Sequence, residues 1–529
     1  MNRNKQIVPK NTCFFMIDFS ALNLSHKQPT ILMSIFGFIP THLVTRGGVT
    51  ECTLQEKGRE LGRTAYPSKM TEPTVSHSVN SQVMQSHENS DSDTSQQTEY
   101  SLLQVNGAWN RQTGGQTQKE GRLSAAKIFQ STSEHGLSWT VVSPIVFTYR
   151  VIQCHNLLDV GNDTLLCGHI EDQDELKAFR SNTKPIKRFI IIDETVNQLY
   201  GSQVTRYFEA RNVLYRILPL PTTEENKSME LVTRILEEVH KFGIDRRSEP
   251  IIAIGGGVCL DVVGLAASLY RRRTPYIRVP TTLLSYIDAS VGAKTGVNFA
   301  NGKNKLGSYT PPVATFLDRT FIRTVPRRQV SNGMAEMLKM ALMKHRGLFE
   351  LLETKGKYLL DSSFQSHDKI SGCCDLEDAA SSSTRIAIET MLEELAPNLW
   401  EDDLDRLVDF GHLVSPELEM KVLPALLHGE AVNIDMSFMV YVAHQKGLLT
   451  GEEKARISHC MVGLELPVWH QDCTLALVQK SLSERLKHSA GSLRMPLPTG
   501  LGCAEIFHEI SDEILCQAFK IWCDELGSS

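Results

Sequence analysis

Strand-like and helix-like patterns alternate along the middle of the chain. The runs KRFIIID, LYRILPLP and EPIIAIG, between residues 187 and 255, are rich in β-branched and apolar residues, as buried strands are. In SMELVTRILEEVHKFGI (228–244) the apolar residues instead recur at intervals of three and four, the spacing of one helix face. Strands that alternate with helices predict a parallel sheet with helices on both of its faces.

The second half of the chain has a different pattern. After about Asp318 the β-rich runs stop, and apolar runs such as GEAVNIDMSFMVYVAHQKGLL have the length and composition of helices. The sequence therefore predicts an α/β, Rossmann-like nucleotide-binding domain at residues 136–318 and an all-α domain at residues 319–529. A cleft between two such domains is where we expect a ligand to bind.

The first 135 residues are unlike either half. Residues 76–122 are crowded with Ser, Gln, Asn, Thr and Gly and contain few apolar side chains. Such a segment cannot bury enough surface to offset the entropy of ordering it, so we expect residues 1–135 to be a disordered N-terminal extension. The apolar run ILMSIFGFIP (31–40) is too short to span a bilayer, and we expect no membrane association.

Composition excludes some classes of partner. The 529-residue chain has a formal net charge of −6, so it lacks the basic character that nucleic acid binding requires. Its twelve cysteines are scattered and form no CxxC pair. In a chain of this length, that pattern indicates reduced thiols in a cytoplasmic protein rather than a disulfide framework.

A glycine-rich turn follows one of the predicted buried strands. In IIAIGGGVCLD (251–261), the triple glycine precedes a helix, and its backbone N–H groups can approach a phosphate at the positive end of the helix dipole. The motif is not the GxGxxG fingerprint, and a tight strand-to-helix turn explains it equally well. Asp193, Glu224 and Lys227 follow neighbouring strands at the same predicted edge of the sheet, where they either contact a ribose or remain solvated.

The stretch RVPTTLLSYIDASVGAKTGVNFANGKNKLGSY (278–309) combines lysines with hydroxyl and amide side chains. Its polar members include Thr281, Thr282, Asp288, Lys294, Lys303, Asn304 and Lys305. Lysine offers a point charge to phosphate, and hydroxyl groups offer adaptable hydrogen bonds, so the segment suits an anionic, hydroxyl-rich ligand. The alternative is a solvated loop, but VPTTLL ties the segment to the core.

Three further side chains have the chemistry of a metal site. Glu336 and Lys339 lie three residues apart in the apolar run NGMAEMLKMALMKH, so both project from one helix face that leaves little room for solvent. His412 and His428 each neighbour a glycine at the edge of a predicted element. One glutamate and two histidines can hold a zinc ion and leave positions open for substrate. A Gly-His step by itself is more often structural.

Taken together, these segments resemble those of 3-dehydroquinate synthase and the sugar phosphate cyclase superfamily. GGGVCLD, VPTTLLSYIDASVGAKTGVN, GKNKLG, GMAEMLK, FGH and HGEAV occur in the order and approximate spacing found there, from about residue 140 to the C-terminus. The resemblance implies a dehydroquinate synthase-like fold, bound NAD+, Zn2+ or Co2+, a small sugar phosphate substrate and a homodimer.

The resemblance also implies a role for each candidate residue. Glu336, His412 and His428 are the implied metal ligands. The implied NAD contacts are Asp193, Glu224, Lys227, Gly255, Gly256, Gly257, Asp261, Thr281, Thr282 and Asp288. The implied catalytic and substrate-binding residues are Lys294, Lys303, Asn304 and Lys339, with Pro416 and, more weakly, Lys487 in the same pocket.

Departures from 3-dehydroquinate synthase bear on the substrate. In that family GHTFGH carries a second histidine, where this chain has Pro416, and Asp409 replaces an asparagine. SPELE, DFGH and PLPTGLG are similar to the 2-epi-5-epi-valiolone synthases, which cyclise sedoheptulose 7-phosphate. The alternatives are the desmethyl-4-deoxygadusol synthases, which use the same sugar, then 3-dehydroquinate synthase, a metal- and NAD-dependent alcohol dehydrogenase, and a binding protein without activity.

The chemistry implied is a cyclisation without net oxidation. In these families NAD+ takes a hydride from a secondary hydroxyl, phosphate leaves by elimination, the hydride is returned, and an intramolecular aldol reaction closes the carbocycle. The substrate's own phosphate can serve as the base, so a dedicated protein base is not required.

Overall fold

The computed structural model describes residues 147–527, except residues 212, 366–377 and 489–490, together with five strand segments nearer the N-terminus. These segments are β1 (Thr45–Arg46), β2 (Val49–Thr50), β3 (Tyr100–Leu103), β4 (Lys127–Ser133) and β5 (Gly136–Val142). β1 and β2 pair within a separate unit of residues 1–95, and β3, β4 and β5 form an antiparallel sheet. The sequence did not predict the strands before residue 135. The rest of the expected disordered extension, including residues 31–40, lies outside the described residues.

A six-stranded, wholly parallel sheet confirms the predicted α/β architecture. The next strands along the chain are β6 (Arg150–Cys154), β7 (Ile186–Asp193), β8 (Val213–Leu220), β9 (Ile251–Gly255), β10 (Tyr276–Pro280), β11 (Lys294–Phe299), β12 (Gly302–Tyr309) and β13 (Ala314–Asp318). The sheet has the order β6-β13-β10-β9-β7-β8, and β11 and β12 form a separate antiparallel hairpin.

Both faces of this sheet are buried, because side chains alternate between two cores. On β7, Phe189 and Ile191 belong to one hydrophobic cluster, while Ile190 and Ile192 belong to the other. All four side chains are fully buried. A strand that is covered on both faces needs the continuous apolar run seen in the sequence.

Among the described residues, five α-helices lie in the part of the chain that contains the sheet. They are α1 (Thr164–Cys167), α2 (Gln173–Ser181), α3 (Glu194–Glu209), α4 (Met229–Phe242) and α5 (Gly257–Leu269). The apolar face of α4, with Leu231, Val232, Ile235 and Val239, is buried as its periodicity predicted. A glycine at 243 in left-handed conformation, φ +70°, ends that helix.

The strand order reverses at β7, which pairs with β8 on one side and β9 on the other. In open parallel sheets, ligands bind outside the carboxyl ends of the strands at such a switch point. Asp193 ends β7 and Gly255 ends β9, and a Cβ atom built on Gly255 would lie 3.3 Å from the Asp193 Cβ. The topology therefore places the glycine-rich turn at the ligand-binding edge.

The hairpin of β11 and β12 occupies the second half of the lysine-rich stretch, where the sequence indicated only a cradle or a loop. Gly296 and Gly307 are direct partners across the hairpin. A Cβ on Gly307 would lie 2.3 Å from the Thr295 carbonyl oxygen, so glycine is required for this close approach. The small residues that make the segment look like a loop therefore allow the two strands to pair.

The remainder of the described chain is mostly helical. Its helices are α6 (Arg327–Lys344), α7 (Arg346–Asp361), α8 (Ala379–Leu395), α9 (Ser415–Val422), α10 (His428–Gln445), α11 (Gly451–Gly463), α12 (Leu475–His488) and α13 (Asp512–Leu526). They pack around one large apolar cluster to which α6 and α10 contribute most of their length. Among the described residues, no helix is both long enough and apolar enough to cross a membrane.

One element corrects the prediction of an all-α second half. β14 (Met495–Gly500) and β15 (Cys503–Phe507) form an antiparallel hairpin. Two prolines in β14 obscured the pattern, since proline cannot donate to a ladder. A two-stranded ribbon leaves one edge of each strand unpaired, where a missing N–H breaks no bond.

Candidate active site

A single cavity of about 1100 Å³ lies between the carboxyl edge of the sheet and the helical half. Most of the residues that the sequence singled out line it. They are Asp193, Glu224, Lys227, Gly256, Gly257, Asp261, Thr281, Thr282, Asp288, Lys294, Lys303, Asn304, Glu336, Lys339, His412, Pro416 and His428. Of the residues to which the resemblance gives a role, Gly255 and Lys487 are not among its lining residues, and Lys305 of the lysine-rich stretch does not line it either.

The two exceptions have local explanations. Gly255 is buried in the turn, and a Cβ there would lie 2.6 Å from the Cys259 Cβ, so this glycine serves packing rather than ligand contact. Lys487 is 63% exposed, and its Nζ lies 2.6 Å from Glu484 Oε1 on the same helix, α12. We therefore leave Lys487 out of the site.

The N-terminus of α5 opens into one end of the cavity. Gly256 is the N-cap residue and has no side chain to satisfy the first backbone N–H groups of the helix. The nearby Thr281 hydroxyl oxygen is buried and has no hydrogen-bond partner among the described residues. Free backbone donors at a helix N-terminus, next to an unsatisfied hydroxyl, suit the pyrophosphate of a dinucleotide.

Acidic residues from the end of β7 and from α5, Asp193 and Asp261, lie in this region. Asp193 Oδ1 caps α3 by accepting from Thr195 N at 2.9 Å and Val196 N at 3.1 Å, and its Oδ2 accepts from Thr222 Oγ1 at 2.5 Å. Lys227 Nζ lies 2.7 Å from both Asp261 Oδ2 and Asn304 Oδ1. These bonds hold the carboxylates and Lys227 in fixed positions along the cavity wall.

The β11–β12 hairpin is tied to the turn after β8. Asn298 donates from Nδ2 to Glu224 Oε1 at 2.8 Å and accepts from Asn304 N at 2.9 Å through Oδ1. Asn304 itself has φ +51°, a conformation that asparagine tolerates better than most residues. Glu224 and Asn304, which the sequence analysis treated separately, are therefore linked through Asn298.

Glu336, His412 and His428 meet at the other end of the cavity. Glu336 comes from α6, His412 from the loop before α9, and His428 is the first residue of α10. Their ligand atoms all lie within 4.8 Å of one another, with Glu336 Oε1 3.7 Å from His412 Nε2 and 3.4 Å from His428 Nε2. Three residues that are far apart in sequence thus converge on one point.

Both histidines direct Nε2 toward that point because Nδ1 is engaged elsewhere. His412 Nδ1 lies 3.1 Å from the Phe410 carbonyl oxygen, and His428 Nδ1 lies 2.8 Å from Glu419 Oε2. A proton held on Nδ1 leaves the Nε2 lone pair free for a metal ion. Burial, with the charge of Lys339, lowers the pKa of His412 to about 3, which favours the neutral ligand form.

The pKa of His428 moves in the opposite direction. Burial and the Lys303 ammonium both disfavour its cation, but the carboxylates of Glu419 and Glu336 raise its pKa to about 9. Burial also opposes the ionisation of Glu336, but Lys339 and the two histidines hold the pKa of that carboxyl well below its ordinary value. Glu336 therefore stays ionised, so its carboxylate can bind a cation.

Packing fixes the start of α10 on α6. Gly429 N donates to Asn332 Oδ1 at 2.6 Å. A Cβ on Gly429 would lie 1.9 Å from the Asn332 carbonyl oxygen, so only glycine allows this approach. The Gly that follows His428 therefore serves to bring this histidine close to Glu336.

Lys339 is the buried cation beside the three ligands. Its side chain is 3% exposed, and Nζ lies 2.5 Å from Glu336 Oε2 and 3.3 Å from Asp288 Oδ2. Burial disfavours its charge, but the two carboxylates outweigh burial and raise the pKa of Lys339. Burial is the main reason that the pKa of Asp288 rises to about 6, against the lowering effect of Lys339.

Glu419 is a residue of the site that the sequence did not predict. Its buried carboxylate contacts both Lys303 Nζ and His428 Nδ1, which lie 2.8 Å from each other. Glu417, two residues earlier on α9, instead pairs with Lys480 at the surface, with 2.6 Å between Oε2 and Nζ. The segment SPELE offered both glutamates, and only the rotation of α9 distinguishes them.

A second missed group surrounds Lys294. Its Nζ lies 2.5 Å from Glu401 Oε1, and Glu401 also accepts from Tyr309 OH at 3.0 Å through Oε2. Arg406 pairs with Glu401 and, at 2.7 Å, with Asp409 Oδ2. An asparagine at position 409 would remove one of the two carboxylates that pair with Arg406. The pairing with Arg406 therefore explains why this position carries an aspartate.

The donor set fits a zinc ion, and the glycine turn fits a dinucleotide. Both carboxylate oxygens of Glu336 are buried and accept no well-formed hydrogen bond from the described residues, although two imidazole nitrogens and Lys339 surround them. One carboxylate and two Nε2 atoms are a ligand set that zinc takes in catalytic sites, with a position left open.

Comparisons with known proteins agree with this arrangement. Residues 217–332 match the family model for the 3-dehydroquinate synthase N-terminal region, and residues 333–488 match that for the C-terminal region. A 2-epi-5-epi-valiolone synthase of Streptomyces hygroscopicus subsp. jinggangensis is 43% identical over 394 residues, which cover 74% of this chain and 92% of that protein. A demethyl-4-deoxygadusol synthase of Trichormus variabilis is 38% identical over 328 residues, 62% of this chain and 79% of that protein.

A solved structure shares the fold. The 2-epi-5-epi-valiolone synthase ValA from Streptomyces hygroscopicus subsp. jinggangensis, with NAD+ and Zn2+ bound, superimposes with a TM-score of 0.67 at 41% identity. The match covers 73% of this chain and all of that one. With both halves of the family model matched in order and the relatives covered over most of their length, the chain belongs to the 3-dehydroquinate synthase family.

Proposed function

We propose that this protein is a 2-epi-5-epi-valiolone synthase, which converts sedoheptulose 7-phosphate into a carbocycle with release of phosphate. One observation carries the proposal. A glutamate–histidine–histidine site and its buried lysine share a single cavity with a glycine turn that fits a dinucleotide. The identity of 43% to a protein with that activity supports the same assignment.

We assign NAD+ to the glycine turn and Zn2+ or Co2+ to the three ligands. Glu336, His412 and His428 would hold the metal, and the N-terminus of α5, together with Asp193 and Thr281, would hold the dinucleotide. When bound, these groups supply a reversible hydride acceptor and a Lewis acid for the sugar hydroxyl.

The chain's own cations would position the substrate. Lys339 lies against the metal ligands, where its charge can offset negative charge that develops on a substrate oxygen. Lys303 and Asn304 extend from the hairpin into the same space, and Lys294 is 58% exposed at the cavity wall, where it can reach a phosphate. We therefore assign separate cations to the reacting carbon and to the phosphate.

Pro416 supports the choice of sedoheptulose 7-phosphate over the substrate of 3-dehydroquinate synthase. It lines the cavity near the start of α9, where 3-dehydroquinate synthases carry a second histidine. Proline removes a side chain that can donate a hydrogen bond to a substrate carboxylate. The pocket is therefore adapted to a sugar phosphate that lacks such a group.

The second candidate is a demethyl-4-deoxygadusol synthase, which the 38% identity to the Trichormus variabilis protein favours. The same sugar and the same site residues serve both reactions, so only the product distinguishes them. A simple alcohol dehydrogenase does not require the cations Lys294, Lys303 and Lys339 around its substrate. We therefore place that activity after the cyclases.

We also propose that the enzyme is a cytoplasmic homodimer whose domains meet near residues 318 and 319. Every cysteine among the described residues is a free thiol. A reducing compartment keeps thiols in this state. The dimer rests on the family resemblance, and the domain boundary rests on the end of the β-rich runs after about Asp318.

Phosphate release from a panel of sugars tests the substrate. We expect the protein, supplied with NAD+ and Zn2+ or Co2+, to release phosphate from sedoheptulose 7-phosphate without a steady rise in NADH absorbance. Release only from the heptulosonate phosphate of the shikimate pathway would instead identify a 3-dehydroquinate synthase. A steady accumulation of NADH would identify a dehydrogenase.

A further inference from the structure

We propose that Asp435 is a positioning residue. Its buried carboxylate holds the loop from Gly411 to Val414, together with the start of α9, against α10 and so sets the position of His412 relative to His428. The inference rests on the metal site of the proposed function.

Asp435 binds the start of α9 from a different helix. It lies on α10 and is 1% exposed, and its Oδ2 accepts hydrogen bonds from Val414 N at 2.6 Å and Ser415 N at 2.9 Å. Val414 is the N-cap of α9, and its side chain cannot satisfy the first amides of that helix. Asp435 therefore supplies the cap that the sequence of α9 lacks.

The rest of the loop also lies directly on α10. Gly411 has φ +74°, and a Cβ there would lie 2.6 Å from Met436 Cγ and 2.9 Å from Val432 Cγ1. Ser415 Oγ donates to the Gly411 carbonyl oxygen at 2.6 Å, which closes the loop across His412. The backbone on both sides of His412 is therefore held against one surface.

That surface and the second histidine share one face of one helix. His428, Val432, Asp435 and Met436 occur at positions i, i+4, i+7 and i+8 of α10, which lie on a single helical face. Since α10 is a continuous helix, fixing the loop at Asp435 and Met436 fixes His412 relative to His428. The two histidines are thus positioned by one rigid element.

Burial of the Asp435 carboxylate costs free energy, so we expect the carboxylate to have a specific role. Burial raises the pKa of Asp435 to about 6, while the amides of the loop and the more distant Arg485 act in the opposite direction. An apolar residue would avoid the desolvation but would leave the amides of Val414 and Ser415 without their acceptor. The carboxylate serves both amides with one oxygen.

The test is zinc affinity of the purified full chain, measured by competition with a chromogenic chelator, together with the visible spectrum of the Co2+ form. Asp435→Asn keeps the shape of the side chain but removes the charge, so any hydrogen bonds that its amide oxygen still accepts from Val414 N and Ser415 N lose their charge assistance and are weaker. Asp378→Asn is the matched control, because Asp378 is a buried carboxylate that caps α8 by accepting from Ser381 N at 2.6 Å and does not line the cavity.

We expect Asp435→Asn to weaken zinc binding by about tenfold or more, as supporting residues of metal sites do, and to change the Co2+ spectrum. The control should lower only the melting temperature. Equal melting losses, with unchanged zinc affinity and Co2+ spectrum in both variants, would overturn the proposal. If Asp435→Asn is insoluble, Asp435→Ser, whose hydroxyl can accept one of the bonds, gives the same reading. A wild-type chain that binds no zinc would overturn the metal site and this inference together.

Discussion

The Glu336→Gln variant is expected to lose its metal and, with it, turnover of sedoheptulose 7-phosphate. Glutamine has nearly the same shape but carries no charge, and Glu336 Oε1 lies 3.7 Å from His412 Nε2 and 3.4 Å from His428 Nε2. Mutation of a residue that only supports a metal ligand weakens metal binding by about 10- to 100-fold. Loss of a ligand itself should therefore weaken metal binding by more than about 100-fold. Metal content after dialysis and phosphate release measure the two effects.

Glu389→Gln is the control for Glu336→Gln. Glu389 lies on α8 with 55% of its side chain exposed, where it pairs with Arg385. It should retain both metal and activity. A Glu336→Gln protein that kept its metal and its rate would show that this carboxylate is not a ligand and would remove the basis of the proposed chemistry.

Replacing Lys339 with methionine is expected to destabilise the metal-free protein by about 3–5 kcal/mol, the usual cost of removing one partner of a buried ion pair. Methionine fills similar volume but leaves Glu336 and Asp288 without the cation that lies 2.5 and 3.3 Å from them. Zinc should restore part of this stability, because it supplies positive charge to Glu336. Denaturant unfolding with and without zinc measures both quantities.

Lys344→Met on the same helix is the matched control for Lys339→Met. Lys344 is 34% exposed and pairs with Glu394, so its loss should cost about 1 kcal/mol or less. Lys339→Met should also slow phosphate release, whereas Lys344→Met should not. Equal unfolding free energies for the two variants would contradict the burial and pairing of Lys339.

The sequence predicted the α/β half well because local patterns there have local causes. A strand buried on both faces must be apolar throughout, as Phe189–Ile192 are, and the turn after β9 needs glycine wherever α5 approaches closely. The resemblance to a family added the pairing of distant residues. The local sequence around Glu336 does not indicate that this residue lies near His412. Only the order of the family motifs indicated that the two residues form one site.

Residues that act across the fold could not be predicted in the same way. Glu417 and Glu419 look alike in SPELE, and the rotation of α9 decides that one pairs with Lys480 while the other contacts His428. Asp435 is a single acid within an apolar run, and its partners are amides of another element. For Lys487 the error was the opposite one: the sequence suggested a site residue that the structure does not place in the cavity. This lysine is exposed on α12.

The identity of the product from sedoheptulose 7-phosphate tests the account most directly. The purified protein with NAD+ and Zn2+ should give 2-epi-5-epi-valiolone, identified by mass and NMR, together with one equivalent of phosphate and no net NADH. A deoxygadusol-type product would transfer the assignment to the second candidate. No carbocycle from this sugar would contradict the proposed function.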